Sequence, residues 1–242
     1  MSSTISVIIP AHNEEKYIAR CIHSIKTAAG EDPVEIIVAC NRCTDHTADI
    51  ATAQGARVVE ENAYSIAKVR NAGIKAATSS IIVTIDADNR MTPGTLREIQ
   101  EKLACGRFIG GGAPIRFERY SFALFLNDFL CRASFKITGL YCGMIWAEKK
   151  TFDEIGGFVD IKAMEDVTTA KKLKSLGKKK GLQYTTLQQN YLINSTRKFD
   201  EKGDWLYFKL LVKNAGTMVR AALGDRSRLD SLLDEMFYRC RD

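Results

Sequence analysis

Two carboxylates one residue apart, Asp86 and Asp88, close the apolar run Ile81-Ile82-Val83-Thr84-Ile85. Such a β-branched run reads as a buried strand, and a carboxylate at its end is costly unless it meets water or a cation. A hard divalent cation such as Mg²⁺ takes oxygen ligands, commonly one or two carboxylates completed by substrate phosphates. Asp88 is therefore a candidate metal ligand, and Asp86, with Ala87 directed elsewhere, a candidate for a sugar or ribose hydroxyl. A strand end with solvated carboxylates fits the same residues equally well. A second acidic pair, Glu165-Asp166, begins a helical stretch, where acids are favoured by the helix dipole whether or not they react. Transfer to a hydroxyl needs a general base, which a metal-phosphate site would otherwise lack, and this pair is the candidate. Arg70 and the basic run Arg197-Lys198 suit phosphate neutralisation as a leaving group departs, and each fits a surface position equally.

Cys40-Asn41-Arg42-Cys43 lies between a strand and a helix, where a helix N-terminus favours thiolate. It supports a rival reading as a redox pair or, with His46, as the start of a zinc site whose fourth ligand is unknown. No second cysteine pair follows at finger spacing. Gly110-Gly111-Gly112-Ala113-Pro114 lacks the Lys-Ser/Thr ending and the helix of a phosphate loop. Its glycines instead admit close approach of a strand or a bound sugar.

The elements that must position these residues alternate along the first hundred positions. Strands are expected at 7–10, 35–39, 56–59 and 80–85, with helices at 13–29, 44–54 and 65–77. Thr44 or Asp45 is placed to cap the second helix, and Gly55 to stop it. Continuous apolar strands joined through helices mean an α/β fold, a mostly parallel central sheet with helices on both faces. Ligands of such sheets sit beyond the carboxyl ends of the strands. Pro10 to Glu14, Cys40 to Asp45 and Asp86 to Asp88 should therefore line one site. Further on, helices are expected at 95–104, 121–137 and 149–155 and after Glu165-Asp166, with a Gly-rich strand at 109–114 and a strand or turn at 142–146. The aromatics from Phe117 to Trp146 read mostly as core. Two amphipathic helices broken near Gly224-Asp225 are expected between Trp205 and Arg241.

The 242 residues are 45% hydrophobic and 26% charged, enough for a sizeable core. Seven scattered cysteines fit reduced thiols better than a disulfide framework. With no basic leader and no apolar run approaching the roughly 20 residues of a membrane span, a cytoplasmic protein is expected. The net charge of +6 is modest and implies no nucleic-acid partner. Its clusters at Lys171–Lys180 and in the C-terminal third, with the basic amphipathic stretch Trp205–Lys213, are compatible with peripheral contact at a cytoplasmic membrane.

In order, Val7-Ile8-Ile9-Pro10-Ala11-His12-Asn13-Glu14-Glu15, Glu35-Ile36-Ile37-Val38, Thr44-Asp45, Arg70-Asn71-Ala72-Gly73, Asp86-Ala87-Asp88 and Glu165-Asp166 resemble the inverting glycosyltransferases of family 2, which have a GT-A fold. The resemblance runs from residue 5 to 205. It implies a GT-A catalytic domain over 1–204, with a nucleotide-binding half at 5–104 and an acceptor-binding half at 105–204, followed by a helical tail at 205–242. The implied reaction moves a sugar, with inversion, from a nucleoside diphosphate sugar to a hydroxyl of an acceptor carbohydrate or lipid-linked sugar, assisted by Mn²⁺ or Mg²⁺. Pro10, His12, Asn13 and Glu14 would line the nucleoside pocket, Arg70 and Arg197 the phosphates, and Asp86 and Ala87 the ribose or sugar. Asp88 would hold the metal, and Asp166 would be the general base with Glu165 as its neighbour. One departure concerns the base: family members usually carry Asp-Asp-Gly-Ser-Thr-Asp where this chain has Cys40-Asn41-Arg42-Cys43-Thr44-Asp45. Asn41, which can both donate and accept, is the remaining candidate for base recognition. A homologue that binds sugar nucleotides without turnover is the alternative within the resemblance.

Overall fold

The computed structural model describes residues 5–161 and 164–213. Its first half is built from β1 (Ile5–Ala11), α1 (Ile18–Ala29), β2 (Val34–Cys40), α2 (Thr47–Ala53), β3 (Arg57–Glu60), α3 (Ile66–Ala76), β4 (Ile81–Thr84), β5 (Arg90–Met91) and α4 (Thr95–Ala104). Then follow β6 (Phe108–Gly112), β7 (Ile115–Phe117), α5 (Phe122–Thr138), β8 (Trp146–Glu148), α6 (Lys149–Ile155), α7 (Glu165–Lys179), β9 (Gln183–Thr186), β10 (Leu192–Asn194), α8 (Arg197–Lys202) and α9 (Leu206–Lys213). The expected tail beyond residue 213, with Gly224-Asp225, lies outside the described residues.

Seven strands form one sheet in the order β3-β2-β1-β4-β8-β6-β9. β1 is parallel to β2 and β4, and β2 to β3, whereas β8 runs antiparallel to both of its neighbours. Strand alternation sends side chains to two layers, as period-2 geometry requires. Val7 and Ile9 of β1, Val38 of β2 and Val83 of β4 pack with Ile18 and Ile22 of α1 and Ile99 of α4. Ile8, Ile37 and Ile82 face the other way, onto Ala67 and Ile74 of α3, Phe152 of α6 and Leu173 of α7. Helices on both faces are thus the direct result of strands that are apolar at successive positions. Strands from the second half complete the same sheet.

A second sheet, β5-β10-β7, lies outside the expected elements. Its strands are two or three residues long and carry little periodicity of their own. Glu98 holds the turn before β10: its carboxylate accepts N–H bonds from Gln188, Gln189 and Asn190 at 2.6 to 3.2 Å. The glycine run meets backbone rather than ligand, because a Cβ at Gly112 would overlap the main-chain carbonyl of Tyr141.

Two expectations about helices are corrected. α1 begins at Ile18 rather than near Asn13, because the N–H groups of Glu14 and Glu15 donate across the loop to Thr47 Oγ1 (2.8 Å) and Asp45 Oδ2 (3.0 Å). Asp45 also accepts from the Thr47 N–H (3.0 Å), so α2 starts at Thr47. The aromatics of α5 are not mostly core: the helix is anchored through Ala123, Leu124 and Asp128, leaving Phe122, Phe125 and Phe129 exposed. Trp146 alone of the aromatics expected there is fully buried, its indole N–H donating to the Gly112 carbonyl at 3.0 Å. No helix among the described residues is long and apolar enough to cross a membrane.

Candidate active site

A cavity of about 910 Å³ opens at the carboxyl ends of β1, β2 and β4, within the usual range for small-molecule sites. Pro10, His12, Asn13, Glu14, Asn41, Asp86, Ala87, Asp88 and Arg197, nine of the residues singled out in the sequence, line it. The loops are tied to each other before any ligand is considered. His12 Nδ1 meets the Asn41 carbonyl at 2.6 Å, and Asn13, in a left-handed conformation at φ 53°, accepts the Thr44 N–H at 2.8 Å. The Asn41 amide donates both of its hydrogens, to the Glu61 carbonyl (2.6 Å) and the Ala63 carbonyl (2.9 Å). With its donors spent, Oδ1 is the atom left to recognise a ligand, and it can only accept. Arg42 and Tyr64, which the sequence did not single out, stand at the mouth with the guanidinium 3.5 Å from the ring centroid.

Below this wall sits Arg70, buried on α3. Its Nη2 donates to Asp86 Oδ1 at 2.8 Å, and its Nη1 donates to Glu165 Oε1 at 2.6 Å and to Asp166 Oδ1 at 2.7 Å. Burial alone would lower its basicity, but Asp166, Asp86 and Glu165 more than offset this and hold it charged. The guanidinium therefore meets three carboxylates where a diphosphate was expected. Asn71, the next residue, clamps the loop leading to α7. Its Nδ2 donates to the Phe158 carbonyl and its Oδ1 accepts the Phe158 N–H, both at 2.8 Å, while the Phe158 ring lies 5.2 Å from the Arg70 guanidinium carbon. Of the two acids at the start of α7, the Glu165 side chain is 8% exposed and that of Asp166 is 31%. Asp166 is thus the more accessible of the two acids, and neither of them nor Arg70 is among the residues that line the cavity.

Arg197 forms the opposite rim. Nη1 and Nη2 grip both oxygens of Glu14 at 2.7 and 3.1 Å, and Nη2 lies 3.3 Å from Asp88 Oδ2. Asn89 and Glu118 position it, accepting the N–H groups of Ser195 and Thr196, each at 3.1 Å. Five carboxylates, Glu14, Asp86, Asp88, Glu165 and Asp166, thus meet the two guanidinium groups of Arg70 and Arg197. Among the described residues no three His, Cys, Asp or Glu side chains are grouped to hold a metal. Asp88, with Asp86, matches instead the one-or-two-carboxylate pattern that phosphates complete.

Cys40, Cys43 and His46 are likewise not grouped to hold a metal among the described residues, and His46 faces Asp49 at 3.3 Å. Cys40 and Cys43 are free thiols hydrogen-bonded to each other, which holds the Cys43 thiol below its ordinary range and Cys40 above it. Iodoacetamide at pH 7 is expected to label Cys43 well ahead of Cys40 and of buried Cys21, whose thiol burial pushes up. Equal labelling of Cys43 and Cys40 by peptide mapping would contradict this geometry.

The sequence model described as Glycosyl transferase family 2 matches residues 6–130, just over half of the chain. An uncharacterized glycosyltransferase of Mycobacterium tuberculosis is 32% identical over 102 residues, 42% of this chain and 44% of that one. The glycosyltransferase GlyG of Streptococcus pneumoniae is 30% identical over 112 residues, 42% and 37% of the two chains. The matched segment thus spans less than half the length of these relatives. Among solved structures, mannosyltransferase PcManGT of Pyrobaculum calidifontis, in complex with GDP-Man and Mn²⁺, superposes with TM-score 0.64 at 20% identity, over 78% of this chain and 56% of that one. Staphylococcus aureus TarS 1-349, in complex with UDP-GlcNAc, gives 0.61 at 18%, over 79% and 58%. These likenesses establish the GT-A fold.

Proposed function

Because the chain belongs to glycosyltransferase family 2, we propose that it transfers a sugar, with inversion, from a nucleoside diphosphate sugar to an acceptor hydroxyl, with Asp166 as general base. The observation that carries this reading is the Arg70 bridge. One guanidinium joins Asp86 on the cavity wall to Asp166 at the start of α7, so the donor side and the base are held by a single rigid group. Asp166 takes the acceptor proton, and Glu165, buried beside it, keeps Arg70 in place.

Asp88, with Asp86, would hold Mn²⁺ or Mg²⁺, which when bound supplies Lewis-acid stabilisation of charge on the departing diphosphate. Mn²⁺ in the complex of PcManGT supports that choice. Arg197 stands at the same rim to meet phosphate. Asn41 Oδ1 would accept an N–H from the base; uracil and guanine both offer one, in keeping with the UDP- and GDP-sugars of the two structural neighbours. The acceptor is a carbohydrate or lipid-linked sugar.

The test is calorimetric titration with uridine, guanosine, thymidine and cytidine diphosphates, with and without Mn²⁺. One nucleotide is expected to bind in a metal-dependent manner, and Asp88→Ala to weaken it by roughly tenfold or more. The bound nucleotide should also slow alkylation of Cys43 while leaving exposed Cys105 unchanged. Absence of binding across the panel would sink the reading.

A further inference from the structure

We propose that the outer face built by α5 and α9 docks on an anionic lipid bilayer and that the acceptor reaches the cavity from that surface, an inference that rests on the transferase reading above. On α5, Phe122, Phe125 and Phe129 are 74%, 59% and 60% exposed, and they recur with a spacing that puts them along one side. Leu130 and Ile137 extend the exposed apolar surface. Trp205, just ahead of α9 and 45% exposed, continues it 6.4 Å from Phe122 and 5.3 Å from Phe208 of α9, and Val212 is exposed further along. Single exposed apolar residues need no explanation, whereas a contiguous aromatic patch on two helices marks an interaction surface.

The charges select the partner. The exposed charged residues on α5 and α9 are Arg132, Lys136, Lys209 and Lys213, all cations. The one acid of the two helices, Asp128, is buried and paired with Arg132 at 2.7 Å. Aromatic side chains interleaved with cations suit an interfacial helix on anionic headgroups. A second copy meeting the same face would set cations against cations.

The patch adjoins the site. Tyr207 of α9 lines the cavity with Phe199, their rings 5.4 Å apart, while its neighbours Trp205 and Phe208 form the outer patch. One helix therefore has a cavity side and a bilayer side. An acceptor whose lipid stays in the membrane would present its sugar hydroxyl across α9.

The chain contains two tryptophans, and Trp146 is buried in the core, so vesicle-induced emission changes report Trp205. The full chain is mixed with phosphatidylcholine vesicles, with and without phosphatidylglycerol. Flotation with the anionic vesicles and a blue shift of Trp205 are expected, weakened by salt and reduced at least roughly tenfold in Phe125→Ser/Phe129→Ser. Nucleoside diphosphate binding by that variant should equal wild type, which also reports its folding. No flotation and no shift, or a variant that binds as well as wild type, would overturn the proposal. So would a Trp205 inaccessible to acrylamide in the vesicle-free chain, or a wild-type dimer dispersed by the substitutions. Nucleotide binding without vesicle binding removes bilayer docking and leaves the donor reading; the reverse removes the donor site alone.

Discussion

Replacing Asp166 with Asn is expected to lower transfer by about 10²- to 10⁴-fold, the ordinary worth of a positioned general base. The amide keeps the shape of the side chain and can still accept from Arg70 Nη1, so the fold and the cavity wall should survive. Nucleoside diphosphate binding should stay close to wild type, because Asp166 lies on the far side of Arg70 from the cavity-lining Asp86. The control is Glu165→Gln, whose carboxylate is shielded and accepts from Arg70. It should lose less activity and more stability than Asp166→Asn. Equal kinetic loss in both, or loss of nucleotide binding along with turnover in Asp166→Asn, would take the base role away from Asp166.

Arg70→Met should be the most damaging single change in the site. It removes a counter-ion shared by three carboxylates, and breaking a buried ion pair by removing one partner costs about 3–5 kcal/mol. Urea denaturation of the variant should show that loss at neutral pH, with activity lost as well. Arg70→Lys separates geometry from charge. An ammonium is a point donor that cannot reproduce the fork reaching Asp86 with one nitrogen and both α7 acids with the other. Lys should restore part of the stability while leaving kcat well below wild type. A Lys variant with full kcat would mean that the bridge does not position the base.

Much of this arrangement was legible in the sequence because buried parallel strands leave a strong mark. Ile5 to Ile9, Ile36 to Ala39 and Ile81 to Ile85 are apolar on both faces, and the rule that ligands gather at strand carboxyl ends brought Asn13, Asn41 and Asp88 together correctly. What escaped were features whose cause lies far along the chain. Arg70 reads in the sequence as a phosphate ligand rather than the partner of three carboxylates, because those partners are 16, 95 and 96 positions away. Glu98 looks like a polar position of an amphipathic helix, yet it organises the turn that brings Asn194 and Arg197 to the cavity. β5, β7 and β10 become strands only by pairing within their small sheet, and two or three residues are too few to display a period. The exposure of Phe125 and Phe129 was hidden for the opposite reason: an apolar helical stripe has the same sequence whether or not anything packs on it.

The place of β8 in the sheet bears on how the chain can fold as it is made. Trp146–Glu148 is inserted between β4 and β6, so β6 and β9 reach the β1–β4 block only through it. A nascent chain that has emerged only as far as β6 therefore exposes β4, with Ile81, Ile82 and Val83, as an unpaired apolar edge, the kind of edge that recruits other chains. Stopping synthesis before Glu148 should yield aggregates rather than a free-standing nucleotide-binding half, since domains fold as units and this unit closes late.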